Sequence, residues 1–144
     1  MPEYKYQSLF DEHNLECDCL QNGQTLNAPA FRWVIDPINH SLNFLPNILY
    51  DIAKDAPRRI NSVKDDMKCG YCALSFFISK EAAIKKYKGI PKRVQQLIGY
   101  NCIAEGTITD KDGVISDIID EHFNFYEYTS ADLKQSFVIT TELI

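Results

Sequence analysis

The 144-residue chain has little of what marks membrane-bound and secreted proteins. No stretch of about 18 apolar residues occurs, so the sequence predicts no transmembrane helix. The first residues have no basic segment followed by an apolar one, as a secretory signal would. The chain has five cysteines, and an odd number without a signal favours reduced thiols. Together these features predict a cytoplasmic protein that does not associate with membranes.

Motifs that would identify an enzyme directly are also missing. The sequence contains no glycine-rich phosphate loop, no obvious nucleophile–base pair and no complete set of metal ligands. Neither internal repeats nor low-complexity segments occur. We therefore expect a protein that works by binding, as an interaction or accessory subunit without a cofactor, and that is not an enzyme.

The composition is that of an ordinary folded domain. Hydrophobic residues make up 45% of the chain and charged residues 24%, enough apolar surface to offset the entropy of an ordered chain. Chains of roughly 100–200 residues usually form one domain. We expect a single domain over residues 1–144, with an irregular, loop-rich first half and a more regular second half.

The second half gives the clearest secondary-structure pattern. Residues 73–78 are almost wholly apolar, as in a central strand. Ser79 is placed to cap a helix that ends at Gly89, and a second helix runs from Pro91 to Gly99, with Leu97 facing inward. Residues 101–109 alternate as a strand, residues 110–113 form a tight turn, and residues 114–119 are predicted to return as its hairpin partner. Further strands are predicted over residues 122–128 and 137–141.

The first half has fewer regular elements. Residues 4–10 suit a short edge strand, residues 11–30 a loop, residues 31–35 a strand, and residues 46–56 a helix with Ile48, Leu49 and Ile52 on its apolar face. Residues 58–68 are polar, as in an exposed connection. The pattern predicts an α+β fold, with a mostly antiparallel sheet of about five strands and two or three helices packed on one side.

Charge is segregated along the chain, although the net charge is only −5. Residues 80–93 hold six basic residues against one acidic residue, and residues 105–128 hold seven acidic residues against one basic residue. Lys85, Lys88 and Lys92 fall on one side of the basic segment, where phosphates or a partner would bind. The sequence pI of about 5.1 argues against nucleic acid, although the basic segment leaves it open. Tyr126 and Tyr128 are candidate interface anchors for a protein partner or for self-association.

Arg32, His122 and Glu127 are the candidate catalytic residues. Arg32 lies inside an apolar strand, where a guanidinium is costly to bury unless it is paired or used. The alternative is an outward-facing position, with Phe31 and Trp33 on the inner face. His122 follows two acidic residues, one of which would orient it as a general base; the alternative is a hydrogen-bonded strand histidine.

The order of these elements resembles that of ADP-ribosyltransferase folds. Arg32 lies on one strand, Ser75 or Ser79 lies on or after the next, Ala82 and Ala83 follow in a helix, and a strand covers residues 100–108. The resemblance implies an enzyme that consumes NAD, in which the arginine contacts the phosphates or ribose and the serine supports the pocket. A later glutamate, Glu127 or Glu121, would stabilise the ribosyl cation. The usual Ser-Thr-Ser triplet is absent here.

Four of the cysteines form two close pairs, Cys17 with Cys19 and Cys69 with Cys72. Four thiolates satisfy tetrahedral zinc, so a zinc-stabilised binding module is a further alternative. The other interpretation is that these are core residues, because free cysteine is among the most buried residue types. A redox role for the second pair would need a helix that begins at the motif.

Overall fold

The computed structural model describes residues 3–55 and 62–143. These residues form an antiparallel sheet of six strands and seven α-helices, which confirms the predicted α+β class. The sheet has one strand more than expected, and the helices outnumber the two or three predicted. Within the described ranges no helix is both long enough and apolar enough to cross a membrane.

The six strands are arranged in the order β4-β5-β2-β1-β3-β6, so that the first two strands of the chain lie at the centre. The apolar run at residues 73–78 therefore forms a central strand, as predicted. The strands are β1 Ala28–Val34, β2 Leu74–Phe77, β3 Cys102–Ile108, β4 Gly113–Ile115, β5 His122–Glu127 and β6 Phe137–Glu142.

The predicted hairpin between residues 101–109 and 114–119 is wrong. Residues 110–113 do turn the chain, with the Asp112 amide donating to the Thr109 carbonyl at 3.0 Å. However, β3 is flanked by β1 and β6, so neither of its edges is free for β4. The chain instead continues to the edge of the sheet beyond β5, where Val114 pairs with Tyr126.

The helices of the second half begin and end close to where the sequence predicts them. The Ser79 hydroxyl accepts a hydrogen bond from the Ala82 amide at 3.1 Å at the start of α5, and Gly99 ends α6 with a φ of 78°. Leu97 is 68% exposed, so the prediction that it faces inward is wrong. The helices are α1 Gln7–Glu12, α2 Asp18–Asn22, α3 Asn47–Ala53, α4 Lys68–Tyr71, α5 Lys80–Lys88, α6 Lys92–Ile98 and α7 Leu133–Ser136.

Three predictions for the first half need correction. Residues 4–10 form no edge strand, because α1 begins at Gln7 and Tyr4 contributes only an isolated bridge to Tyr128. Ile52 of α3 is 52% exposed rather than buried. Within the predicted exposed connection, residues 58–61 lie outside the described residues, and Val63 is buried in the core.

Alternate residues of each strand point to opposite faces of the sheet, and this divides the core in two. The core face carries Ala30, Phe76, Phe123 and Phe125, all fully buried in the largest apolar cluster. Two further apolar clusters lie on the opposite face of the sheet, here called the helix face, and include residues of α1, α3, α4 and α5. Phe31 of β1 belongs to the cluster that contains α5 residues. Leu133 of α7 packs on the core face, so the helices are not confined to one side.

The two central strands are joined much less extensively than their neighbours. β1 and β2 share a single register pair, Phe31 with Phe77, whereas β1 and β3 share seven pairs. Beyond that pair Arg32 and Trp33 have no partner on β2. The middle of the sheet therefore lacks part of its ladder, and this is where the candidate site lies.

Candidate functional site

A cavity of about 230 Å³ lies beside the interrupted ladder between β1 and β2. Arg32 and Trp33 come from β1, Ser75 and Phe77 from β2, and His122 from β5, so three neighbouring strands supply most of the lining. The remaining lining residues come from α3, from α5 and from the segment just before β3. They are Asn47, Lys86 and Tyr100.

Arg32 is the most unusual residue of this cavity, because it is a charged side chain with only 3% of its surface exposed. The alternative that it faces outward is therefore wrong. Its guanidinium lies 5.2 Å from the ring centre of Phe76 and 5.5 Å from that of Phe44, within the range of cation–π attraction. Burial lowers the pKa of Arg32, and interactions with Tyr100, Glu127 and Tyr6 oppose that shift.

These neighbours do not supply a hydrogen-bond acceptor to every donor of the guanidinium. Its Nε and Nη1 atoms are buried and have no hydrogen-bond partner among the described residues. A buried donor without a partner costs about 1–3 kcal/mol, and more when it is charged. Arg32 is thus a cavity-lining residue whose guanidinium keeps two unpaired hydrogen-bond donors.

Ser75 and Asn47 form a polar part of the wall. The Asn47 side-chain amide donates to the Ser75 hydroxyl at 3.0 Å, and the Asn47 backbone amide donates to the Ala73 carbonyl at 3.1 Å. These bonds fix the first turn of α3 against β2. The Tyr50 ring, one turn further along α3, stacks on Tyr100 with 4.6 Å between ring centres, so α3 also positions the hydroxyl that partners Arg32.

His122 lies at the side of the cavity nearest α5. Its ring is 5.4 Å from that of Phe77 in an edge-to-face arrangement. Burial and the neighbouring ammonium of Lys86 lower the pKa of His122. The imidazole is therefore neutral at pH 7, a state in which one ring nitrogen can accept a proton or a hydrogen bond.

A larger open groove of about 720 Å³ borders the cavity. Phe77, Lys86 and His122 line both, so the two spaces meet at these side chains. Lys85 of α5 and Glu121 also line the groove. Asp120 and Glu121 both have positive φ, 52° and 62°, in the tight turn that precedes β5, a conformation that ordinary residues adopt at a cost.

Glu127 does not join this cavity, so the structure brings together two of the three candidate catalytic residues. It lies on the core face at the far end of β5 and is 3% exposed. One carboxylate oxygen forms an ion pair of 2.6 Å with Lys5, and the other has no hydrogen-bond partner among the described residues. Burial raises the pKa of Glu127, although Lys5 opposes the shift. Glu127 lines a separate cavity of about 170 Å³ instead.

The cysteines do not form the predicted four-thiolate set. Cys17 and Cys69 are joined by a disulfide, with their Cα atoms 5.9 Å apart, while Cys19, Cys72 and Cys102 are free. The expectation of reduced thiols is therefore wrong for two of the five cysteines. Sulfurs in a disulfide are not thiolates and bind no zinc. The described residues contain no group of three or more His, Cys, Asp or Glu side chains placed to hold a metal ion.

The residues predicted to bind a partner are scattered. Lys85 lines the outer groove, whereas Lys88 and Lys92 are exposed on α5 and α6 without lining it. Tyr126 is buried in the helix-face core, because its position on β5 points it beneath α1, and so it is no surface anchor. Tyr128 is half-buried with its ring against that of Tyr4.

Sequence reasoning missed three residues of the cavity. Tyr100 follows a helix-ending glycine, and Asn47 begins a short helix, so neither stands in a recognisable motif. Lys86 is one of six basic residues in residues 80–93, and the sequence does not distinguish it from the others. Their roles depend on which elements meet at the interrupted ladder, and a one-dimensional pattern carries no such signal. Comparisons with protein-family models, with curated proteins and with solved structures gave no match to this chain.

Proposed function

We propose that this protein binds a small ligand that carries a carboxylate or phosphate group, and that the guanidinium of Arg32 binds that group. The observation that carries the proposal is the pair of buried, unpartnered nitrogens on a residue that lines a cavity. A guanidinium presents N–H donors in a planar fork that matches two oxygens of such a group. The donors that the fold leaves unused are therefore supplied with acceptors by the ligand.

The size and lining of the cavity support a ligand of about one ring. An apolar cavity of about 150 Å³ holds benzene, so the 230 Å³ available here has room for a ring and its acidic group. Trp33, Phe77 and His122 supply aromatic surface beside Arg32. Such surfaces favour planar ligands, since rings attract one another at centre-to-centre distances of about 4.5–7 Å.

Titration calorimetry with benzoate and with inorganic phosphate tests this proposal. We expect at least one probe to bind, and Arg32→Met to weaken its binding by about a hundredfold, because two charge-assisted hydrogen bonds of about 1.5 kcal/mol each are lost. Arg93→Met is the matched control, since Arg93 is exposed and lines neither the cavity nor the groove. A thermal melt establishes that each variant is folded. Absence of binding, or equal binding by wild type and Arg32→Met, would overturn the proposal.

A second candidate is an enzyme that consumes NAD, as the resemblance to ADP-ribosyltransferase folds implies. The observation in its favour is that Arg32 and Ser75 line one cavity from adjacent central strands. Of the two possible glutamates, Glu121 lines the groove that meets this cavity, whereas Glu127 is paired with Lys5 elsewhere. In this candidate Glu121 stabilises the ribosyl cation.

Incubation with NAD and measurement of released nicotinamide tests the second candidate. Release is expected from the wild type and from Glu127→Gln, and it should be lost in Arg32→Met and in Glu121→Gln. A protein that releases no nicotinamide, or whose release survives both of the latter substitutions, is not such an enzyme. The expectation of an interaction or accessory subunit remains a prediction beside these two proposals.

A further inference from the structure

We infer that the ligand of this cavity is a dianion, with one acidic group at Arg32 and the other at Lys86, joined by a planar or apolar spacer. This inference rests on the proposed function, because it extends the ligand from the Arg32 end of the cavity to the side where the cavity meets the groove. It assigns Lys86 a binding role that neither its sequence nor its exposure suggests.

Lys86 is one of three residues that line both the cavity and the outer groove, so it lies where the two spaces meet. Its ammonium is close enough to the His122 ring to disfavour a second positive charge there. Arg32 and Lys86 thus contribute two cationic side chains to the lining of one cavity.

The Lys86 ammonium is also available to a ligand. Among the described residues the salt bridges join Lys5 to Glu127 and Lys68 to Asp65, and none includes Lys86. Asp120 and Glu121 line the outer groove without lining the cavity. A second acidic group is therefore attracted at Lys86 and repelled further out, which limits the length of the ligand.

The same cavity also has an aromatic surface. Trp33, Phe77 and His122 line it, and the ring centre of Phe77 lies 5.4 Å from that of Trp33 and 5.4 Å from that of His122. A continuous aromatic surface suits a flat or apolar spacer better than a strongly hydrated one. An aromatic dicarboxylate has this pattern of charge and shape.

Titration calorimetry with benzoate and with benzene-1,4-dicarboxylate, at low salt and pH 8, tests the inference. We expect the dicarboxylate to bind about threefold to fivefold more tightly, the gain typical of one partly exposed ion pair. Lys86→Met should abolish that ratio, because the second acidic group then has no cation beside it. Lys88→Met is the control, since Lys88 is exposed on the same helix and lines neither space.

The outcomes separate this inference from the proposed function. If benzoate binds and depends on Arg32, but the dicarboxylate shows no preference or keeps it in Lys86→Met, the dianion is wrong and the anion site stands. If neither compound binds, or binding does not depend on Arg32, both are wrong. A dicarboxylate that binds more weakly than benzoate would equally overturn the second acidic group.

Discussion

Arg32 and Glu127 are the two buried residues with charged side chains in the described chain, and their surroundings differ. Both lie on the core face of the sheet, on strands that flank β2. In each case burial shifts the pKa towards the neutral form. Glu127 nevertheless forms an ion pair at 2.6 Å with Lys5. Arg32 forms no ion pair among the described residues: it interacts with Tyr100, is attracted to Glu127 without an ion-pair contact, and packs against two phenyl rings.

The difference indicates two distinct uses of a buried charge. The ion pair of Glu127 fastens the N-terminal segment to the end of β5, since Lys5 also donates its backbone amide to the Glu127 carbonyl and its ammonium to the Ala131 carbonyl, each at 2.9 Å. That arrangement is complete without a ligand except for one carboxylate oxygen. Arg32 makes no comparable link between chain segments. Two of its hydrogen-bond donors are unpaired, and the residue lines a cavity. The first charge therefore serves the fold and the second serves binding.

The largest expected effect comes from removing the partner of Glu127. Lys5→Met should lower the free energy of unfolding at pH 7 by about 2 kcal/mol, below the range for fully buried pairs because 30% of the Lys5 side chain is exposed. Urea denaturation measures the loss, and Lys111→Met, in an exposed turn, is the control. The loss should shrink as the pH falls through the pKa of Glu127, because a protonated carboxyl needs no cation. A loss no larger than that of the control would contradict a structural role for this pair.

The same experiment on Arg32 should give the opposite sign. Arg32→Met replaces an incompletely paired charge by an apolar side chain of similar length, and such replacements are often neutral or stabilising. We expect the free energy of unfolding to rise by about 1 kcal/mol, since the lost contacts with Phe44, Phe76 and Tyr100 offset part of the gain. Urea denaturation without added ligand measures it. A loss greater than that of Lys5→Met would show that Arg32, too, serves the fold.

Much of this contrast was beyond the sequence, for a physical reason. The sequence pattern correctly predicts a strand at β5 and a central strand at β2, because strand periodicity is local. The pairing of β4 with β5 depends on contacts between elements, and for that reason the local pattern predicts the wrong partner strand for β4. The burial of Arg32, the pairing of Glu127 with Lys5 and the Cys17–Cys69 disulfide depend likewise on which elements meet in space. The sequence identified Arg32 and His122 as candidates, but not Asn47, Tyr100 and Lys86 around them.

The smallest effect that we predict is a pH dependence of ligand affinity, caused by His122 in the cavity that Arg32 lines. Burial and Lys86 hold the pKa of His122 below its ordinary value, so the imidazole is neutral at pH 7 and gains a proton only in more acidic solution. A proton there adds positive charge to the cavity of Arg32 and none to the distant ion pair of Glu127. Affinity for benzenesulfonate, whose own charge does not change over this range, should therefore rise about twofold to threefold as the pH falls through the pKa of His122, the size of one screened charge interaction.

Calorimetry between pH 8 and pH 5 measures this rise. His122→Gln, which keeps a polar side chain without the titration, should bind the sulfonate with equal affinity across the range. The same proton bears on folding with the opposite sign. Because the folded pKa lies below the unfolded one, the stability that neutral His122 contributes is complete above the unfolded pKa, near 6.5, and is lost as the pH falls through the folded pKa. Acid should therefore strengthen binding while weakening the fold, and a sulfonate affinity that is flat with pH in the wild type would remove His122 from the anion site.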